Sequence, residues 1–203
     1  MRTLVIDTAT KACSVALYDG IRLVGSTHEV IGRGHAERLL PFIAALPERG
    51  KADQIFVDVG PGSFTGIRVG VAAAKALAFA WKVPVHGYNG LELIAAMARR
   101  QLAKNVAIDV VMTGGHGEYF HQHFGSSGDA SAPSASVTHD VLETAVTAVV
   151  IAGDIASQVS GAQHIDLLPD AACWHLIAAS TPLPASPIYG RAPDAKLPKA
   201  RAT

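Results

Sequence analysis

The densest chemical signal in this 203-residue chain is Gly60-Pro61-Gly62-Ser63-Phe64-Thr65-Gly66, which follows an apolar run ending at Asp58 and opens a helical pattern. Glycines between a strand and a helix start suit an anion, because free N–H groups and the helix dipole point there. Two nucleotide fingerprints fail at this loop. A P-loop needs Gly-Lys-Ser/Thr at its end, and Gly66 is followed by Ile67-Arg68. The dinucleotide pattern needs two residues between its later glycines, and Gly62 and Gly66 are separated by three. The competing reading is structural: the glycines allow a tight turn, and Ser63 or Thr65 caps the helix. Both readings stay open on the residues alone.

Three further groups could do chemistry. His35 would need a second ligand one helical turn on, and the residue there is Leu39, so no metal is expected. His121 and His123 share one face of a strand, with His116 nearby, and imidazoles of this spacing suit zinc. Apart from Glu118 no carboxylate stands at an obvious spacing, so a polar strand surface is the expectation, with Gln122 turned inward or toward an edge. Asp7, with Thr8 after it, could hold magnesium, but no partner acid is evident. Ser63 is not in a Gly-x-Ser-x-Gly elbow, and Cys13 and Cys173 read as packing residues. No complete catalytic set emerges, and neither a metal nor a cofactor is expected.

The elements that must position these groups follow from patterning. Thr3–Asp7 reads as a buried strand, and Cys13–Tyr18 alternates before Asp19-Gly20, a strong hairpin signal. Ile21–Val30 continues the meander. A helix is expected over 36–46, kinked or started late by Pro41, then a strand at 54–58, a helix at 66–81, a strand at 85–88 and a helix at 91–102. The second half repeats the plan in short form. Strands are expected at 106–112, 118–124 and 148–151, and helices at 141–146 and 170–179, with a mobile Gly/Ser loop at 125–136. Three lengths result: a lobe over 1–102, a smaller lobe over 103–180, and a Pro-rich tail over 181–203. The order of elements argues for an α/β chain with mixed sheets and flanking helices.

Composition narrows the function classes. Hydrophobic residues make up 49% and charged residues 17%, which excludes wholesale disorder. Seventeen basic and seventeen acidic residues cancel, unlike a histone-type nucleic-acid binder. The cancellation hides an asymmetry: residues 1–100 carry twelve basic and eight acidic groups, and residues 101–190 carry one and eight. Strongly apolar stretches run to about ten residues between charges, short of the ~18 of a membrane span. Met1-Arg2-Thr3 leads into a strand with no signal-peptide pattern, so a soluble, cytoplasmic protein is expected.

The run Gly60–Gly70, with Ala74-Lys75-Ala76-Leu77 behind it, closely resembles the hallmark of the TsaB family, bacterial proteins of tRNA threonylcarbamoyladenosine biosynthesis. Leu4–Thr10 with Cys13–Leu17, Gly34–Pro41 and Pro187–Arg191 resemble further family segments in the same order. The likeness is dense over residues 1–100 and sparse beyond. Met112–Glu118 lacks the Asp and Arg of the family's turn, and Gly190 stands where the family tends to have an apolar residue. The resemblance implies a two-lobed fold of the actin, sugar kinase and Hsp70 ATPase class. It also implies a non-catalytic subunit that pairs with TsaD, with the ATPase TsaE as a further partner, tRNA reached only through the complex, and a homodimer when alone. Asp7 and Thr8 would mark a vestigial nucleotide site. The other classes considered are a metal-dependent glycoprotease-like peptidase and a small ATP-dependent kinase of the same fold.

The helix after the glycine loop points to a partner surface. Its charges, Arg68, Lys75 and Lys82, are seven apart and form one narrow stripe, and most of the remaining circumference is apolar. An apolar surround implies burial on a second side. The expected interface comprises His35, Leu39, Phe42 and Ile43 of the first helix with Arg68, Val71, Ala73, Lys75 and Ala76 of the second. The tail cations Arg191, Lys196, Lys199 and Arg201 are expected either to meet an acidic partner or to remain solvated.

Overall fold

The structure is a computed structural model that describes residues 1–115, 117–160 and 163–190. The first half comprises β1 (Arg2–Asp7), β2 (Ala12–Asp19), β3 (Arg22–Val30), α1 (His35–Ala45), β4 (Gln54–Asp58), α2 (Phe64–Trp81), β5 (Val85–Tyr88) and α3 (Gly90–Leu102). The second comprises β6 (Ile108–Thr113), β7 (Tyr119–Phe124), β8 (Ala135–Val137), α4 (His139–Ala145), β9 (Val150–Gly153) and β10 (Gln163–Asp166). A 3-10 helix at Ala171–Ile177 and β11 (Leu183–Pro184) return the chain to the first half.

Two mixed sheets result, in the orders β11-β5-β4-β1-β2-β3 and β10-β9-β6-β7-β8. Leaving out β11, the orders coincide, and so do the directions: an antiparallel meander on one side and two parallel additions on the other. This is an α/β architecture of two mixed sheets with flanking helices, as the resemblance implies, with a reduced second sheet. The internal repeat is one of topology, carried by hydrophobic alternation.

Strand alternation divides the core. Leu4, Ile6, Val15 and Leu17 point toward α1 and α2, while Val5, Ala16, Tyr18 and Phe56 point toward α3 and the 3-10 helix. The opposite side of α3 places Leu91, Ile94, Ala95 and Ala98 against Ile108, Val110 and Phe120 of the second sheet. This helix therefore packs on both sheets.

Several elements differ from the sequence expectation. α1 begins at His35 and runs through Pro41 without a break. The helix expected over 170–179 is a 3-10 helix, with the Asp170 side chain accepting from Ala172 N. The stretch 125–136 contributes an isolated bridge between Phe124 and Ala130 and the start of β8. Strands β8, β10 and β11, of three, four and two residues, were too short to signal themselves by alternation. β11 opens the Pro-rich segment as an edge strand on β5, a position that tolerates Pro184 because an edge strand leaves some N–H positions without a partner. The tail cations Arg191, Lys196, Lys199 and Arg201 lie outside the described residues, as does His116.

Candidate functional site

The Gly60–Gly66 loop packs against the carboxyl end of β1. Ser63 N donates to Ala9 O at 2.6 Å, and Thr8 Oγ1 donates to Gly66 O at 2.7 Å. A Cβ at Gly66 would collide with the carbonyl oxygen of Thr8, and one at Gly62 with that of Ala9, so close approach of two backbones requires glycine at both. Ser63 is the N-cap of α2, its Oγ accepting from Gly66 N at 3.3 Å. Pro61 is buried, whereas Phe64 and Thr65 are exposed. Arg68 lies over the Phe64 ring at 3.6 Å and its Nε donates to Tyr189 Oη at 2.8 Å. This ties the loop to the closing segment, where Ile188 N donates to Val59 O at 2.7 Å. Gly190 has its own reason: a Cβ there would press on the Phe120 ring and on Pro61.

Asp7 and Thr8 are fully buried. Asp7 does have a partner acid that the sequence reading missed: Asp58, at the end of the adjacent parallel strand β4. Tyr88 Oη donates to Asp7 Oδ2 at 2.8 Å, and Asp58 Oδ1 accepts from Gly60 N at 2.7 Å and Gly90 N at 3.1 Å. Asp58 Oδ2 is buried and accepts from no donor among the described residues, so a proton held on the neighbouring Asp7 carboxyl is the donor that would satisfy it. Burial is the main cause that raises both carboxyls well above the usual range, and for Asp7 the facing Asp58 charge adds to it. The same burial pushes up Tyr88. The pair acts as one proton-sharing unit that anchors the start of the glycine loop and the start of α3. A signal for Asp58 existed, because Gln54–Asp58 ends on an acid just as Thr3–Asp7 does.

A second buried carboxylate was also missed. Asp109, on β6, accepts at Oδ1 from His121 Nε2 at 2.7 Å and His123 Nδ1 at 3.1 Å, and at Oδ2 from Thr147 N and Ala148 N. It supplies the carboxylate partner for which the sequence offered only Glu118. Burial raises the Asp109 carboxyl, but the hydrogen bond and charge of His121 and the amides of Ala148 and Thr147 together outweigh it and hold the carboxyl below its ordinary value. Gln122 turns inward, accepting from Asn89 Nδ2 at 2.9 Å and so joining the halves. Among the described residues no group of three His, Cys, Asp or Glu side chains is placed to hold a metal ion.

The expected partner surface needs correction. His35, Leu39, Phe42, Ile43 and Val71 are core residues facing the first sheet, so they are not available to a partner. His35 Nε2 meets Ala12 O at 3.1 Å, a structural contact. Ala73 is half-buried, while Arg68, Lys75 and Ala76 are exposed. Beside Arg68 and Lys75, the uncovered face of α2 carries the apolar residues Ala72, Ala76, Phe79 and Ala80, with Phe79 88% exposed. The neighbouring α1 exposes Leu40, at 54%, and Ala44. The hydrophobic period alone could not decide which side faces the sheet, because both sides of α2 are apolar. α2 is long and apolar enough by length and composition to cross a membrane, and a third of it is buried in the fold.

A family model described as TsaD, tRNA N6-adenosine threonylcarbamoyltransferase, matches residues 23–166. The chain is 38% identical over 107 residues to the tRNA threonylcarbamoyladenosine biosynthesis protein TsaB of Escherichia coli, covering 50% of this chain and 46% of that protein. It is 42% identical over 120 residues to the TsaB of Haemophilus influenzae, covering 54% and 49%. The matched region is about half the length of these curated relatives. Among solved structures, YeaZ from Pseudomonas aeruginosa superposes with a TM-score of 0.78 at 28% identity, covering 93% of this chain and 99% of that one.

Proposed function

Because this chain belongs to the TsaD family and, within it, to the TsaB proteins, we propose that it serves tRNA threonylcarbamoyladenosine biosynthesis as a non-catalytic subunit that pairs with a TsaD enzyme. The observation that carries the pairing is the uncovered apolar strip of α2. Ala72, Ala76, Phe79 and Ala80 share one face of the helix, and the neighbouring α1 exposes Leu40 and Ala44. Small side chains let a partner helix approach closely, and Phe79 supplies an aromatic anchor of the kind that dominates interface energetics. Arg68 and Lys75 border the strip and set the orientation of an acidic or carbonyl-rich partner.

The non-catalytic role is supported by the sealing of Asp7 and Thr8, the strand-end residues that the resemblance marks as a vestigial nucleotide site. Asp7 is spent on Tyr88 and Asp58, and Thr8 on Gly66 O. In this reading TsaE joins the complex, tRNA is held through the complex, a second copy takes the strip when the subunit is alone, and the protein works in the cytoplasm. The test is reconstituted threonylcarbamoyl transfer to tRNA by TsaD and TsaE, with and without this chain. Transfer should depend on adding the chain and should persist with Asp7→Asn. Turnover by the isolated chain that vanishes with Asp7→Ala would overturn the non-catalytic role.

A further inference from the structure

Two cavities share a wall on the face of the first sheet opposite α1 and α2. The smaller, of about 130 Å³, has Phe56, Trp174 and Ile177 on its apolar side and Asn89, Glu92 and Thr181 on its polar side. Its volume is close to the ~150 Å³ of an apolar cavity that takes up benzene. The Phe56 and Trp174 rings stand 4.7 Å apart between centroids, giving the pocket a stacking wall. The larger is an open cleft of about 600 Å³ between the last turns of α3 and the β7–β8 turn, within the range that small-molecule sites occupy. Glu92, Ile177 and Ser180 line both cavities, and the hydrogen bond from Ser180 Oγ to Glu92 Oε1 is the partition between them.

The charges of the cleft are unequally committed. Arg99 is pinned, donating to the carbonyls of Val106, Phe124 and Gly125, and Glu92 and Asp129 each accept from a serine hydroxyl. The side chains of Arg100 and Lys104, both exposed on the cleft wall, make no hydrogen bond or ion pair among the described residues. The two uncommitted charges are therefore both positive. Lys104 is also the one basic residue between positions 101 and 190, so in the acidic second half an anion finds its cation here.

We propose that the double cavity binds a small ring-bearing anion, an aryl or heteroaryl phosphate or carboxylate. Its ring enters the Phe56/Trp174 pocket and its acid group meets Arg100 and Lys104. Opening the Glu92–Ser180 contact joins the two compartments. The site lies away from the α2 strip, so it is independent of the subunit role and compatible with a bound partner.

Trp174 lines the ring pocket, and Trp81 is the only other tryptophan, so emission from a Trp81→Phe background reports on the pocket directly. Phenyl phosphate, phenylacetate and inorganic phosphate are titrated against this protein and against the same background carrying Arg100→Ser and Lys104→Ser. At least one ring-bearing probe should shift Trp174 emission saturably and bind at least tenfold more tightly than inorganic phosphate. The double variant should lose at least tenfold with an unchanged circular dichroism spectrum. Whichever of phenyl phosphate and phenylacetate binds more tightly identifies the acid group. Absence of saturable binding by both ring-bearing probes, equal binding by the double variant, or inorganic phosphate binding as tightly as the ring-bearing probes would overturn the proposal.

Discussion

Each half of this molecule buries a carboxylate within its central sheet, and the two are handled in opposite ways. In the first half Asp7 and Asp58 end neighbouring parallel strands and face each other without a cation, so one carboxyl must lend a proton to the other. In the second half Asp109 is equally buried, but two imidazoles and two backbone amides point at it. Apart from the edge strand β11, strand order is the same in both sheets, so topology does not decide the electrostatics. The donors that surround each acid decide it: four hydrogen bonds favour the charged form of Asp109, whereas apolar burial and a like charge favour the neutral form of the pair. A junction near the ends of β6 and β9 shows a third solution. Asp154 accepts from Thr113 N and Oγ1 and pairs with Lys11 at 3.4 Å, reaching across to the first half.

The contrast can be broken most severely at Asp109. Asp109→Ala leaves two part-buried amides and two part-buried imidazoles without their acceptor and should cost on the order of 3 kcal/mol in urea unfolding. Because the carboxyl of Asp109 is held below its ordinary value, its contribution is present above pH 4 and is lost as pH falls through the lowered value. The first-half pair carries the reverse sign. The folded state holds protons that the unfolded chain releases near pH 4, so this contribution is full below pH 4. It is lost as pH rises toward the raised value of Asp58, about 7. Asp58→Asn puts an amide donor where the shared proton sits and keeps an oxygen for Gly60 N and Gly90 N. It should raise stability at pH 8 by about 2 kcal/mol and flatten the unfolding free energy between pH 5 and 8. Lower stability of Asp58→Asn at pH 8 would contradict proton sharing. The smallest effect is expected at the exposed end of the inter-half ion pair: Lys11→Ala should cost no more than about 0.5 kcal/mol, and the difference should vanish at 1 M salt.

Much of this architecture is legible in the chain. The meander, the glycine loop and the long helices announce themselves through alternation, Asp19-Gly20, and helix-period apolar residues. The loop's structural role was also one of the two readings the residues allowed, with Ser63 as cap. What stayed hidden was pairing between distant residues. Asp7 and Asp58 are separated by 51 positions, and only the parallel register of β1 and β4 brings them together. Asp109 reaches His121 and His123 because β6 and β7 pair antiparallel, opposing Asp109 to His123. The apolar residues of α1 are unavailable to a partner for a related reason. Leu39, Phe42 and Ile43 are the apolar stripe of an amphipathic helix, and that stripe belongs to the sheet. The uncovered residues Leu40, Ala44, Ala76 and Phe79 become visible only once the sheet has taken its side.

The central claim, that the α2 strip is the docking surface for TsaD, is tested most directly by the affinity of the purified subunit for TsaD in calorimetric titration, with and without Ala76→Glu. Ala76 is exposed on the outer side of α2, so the variant should fold with an unchanged spectrum and unfolding midpoint. A carboxylate desolvated within an apolar helix contact should weaken the complex at least a hundredfold. A folded Ala76→Glu variant that binds TsaD with the affinity of the unaltered protein would contradict the account and place the interface elsewhere.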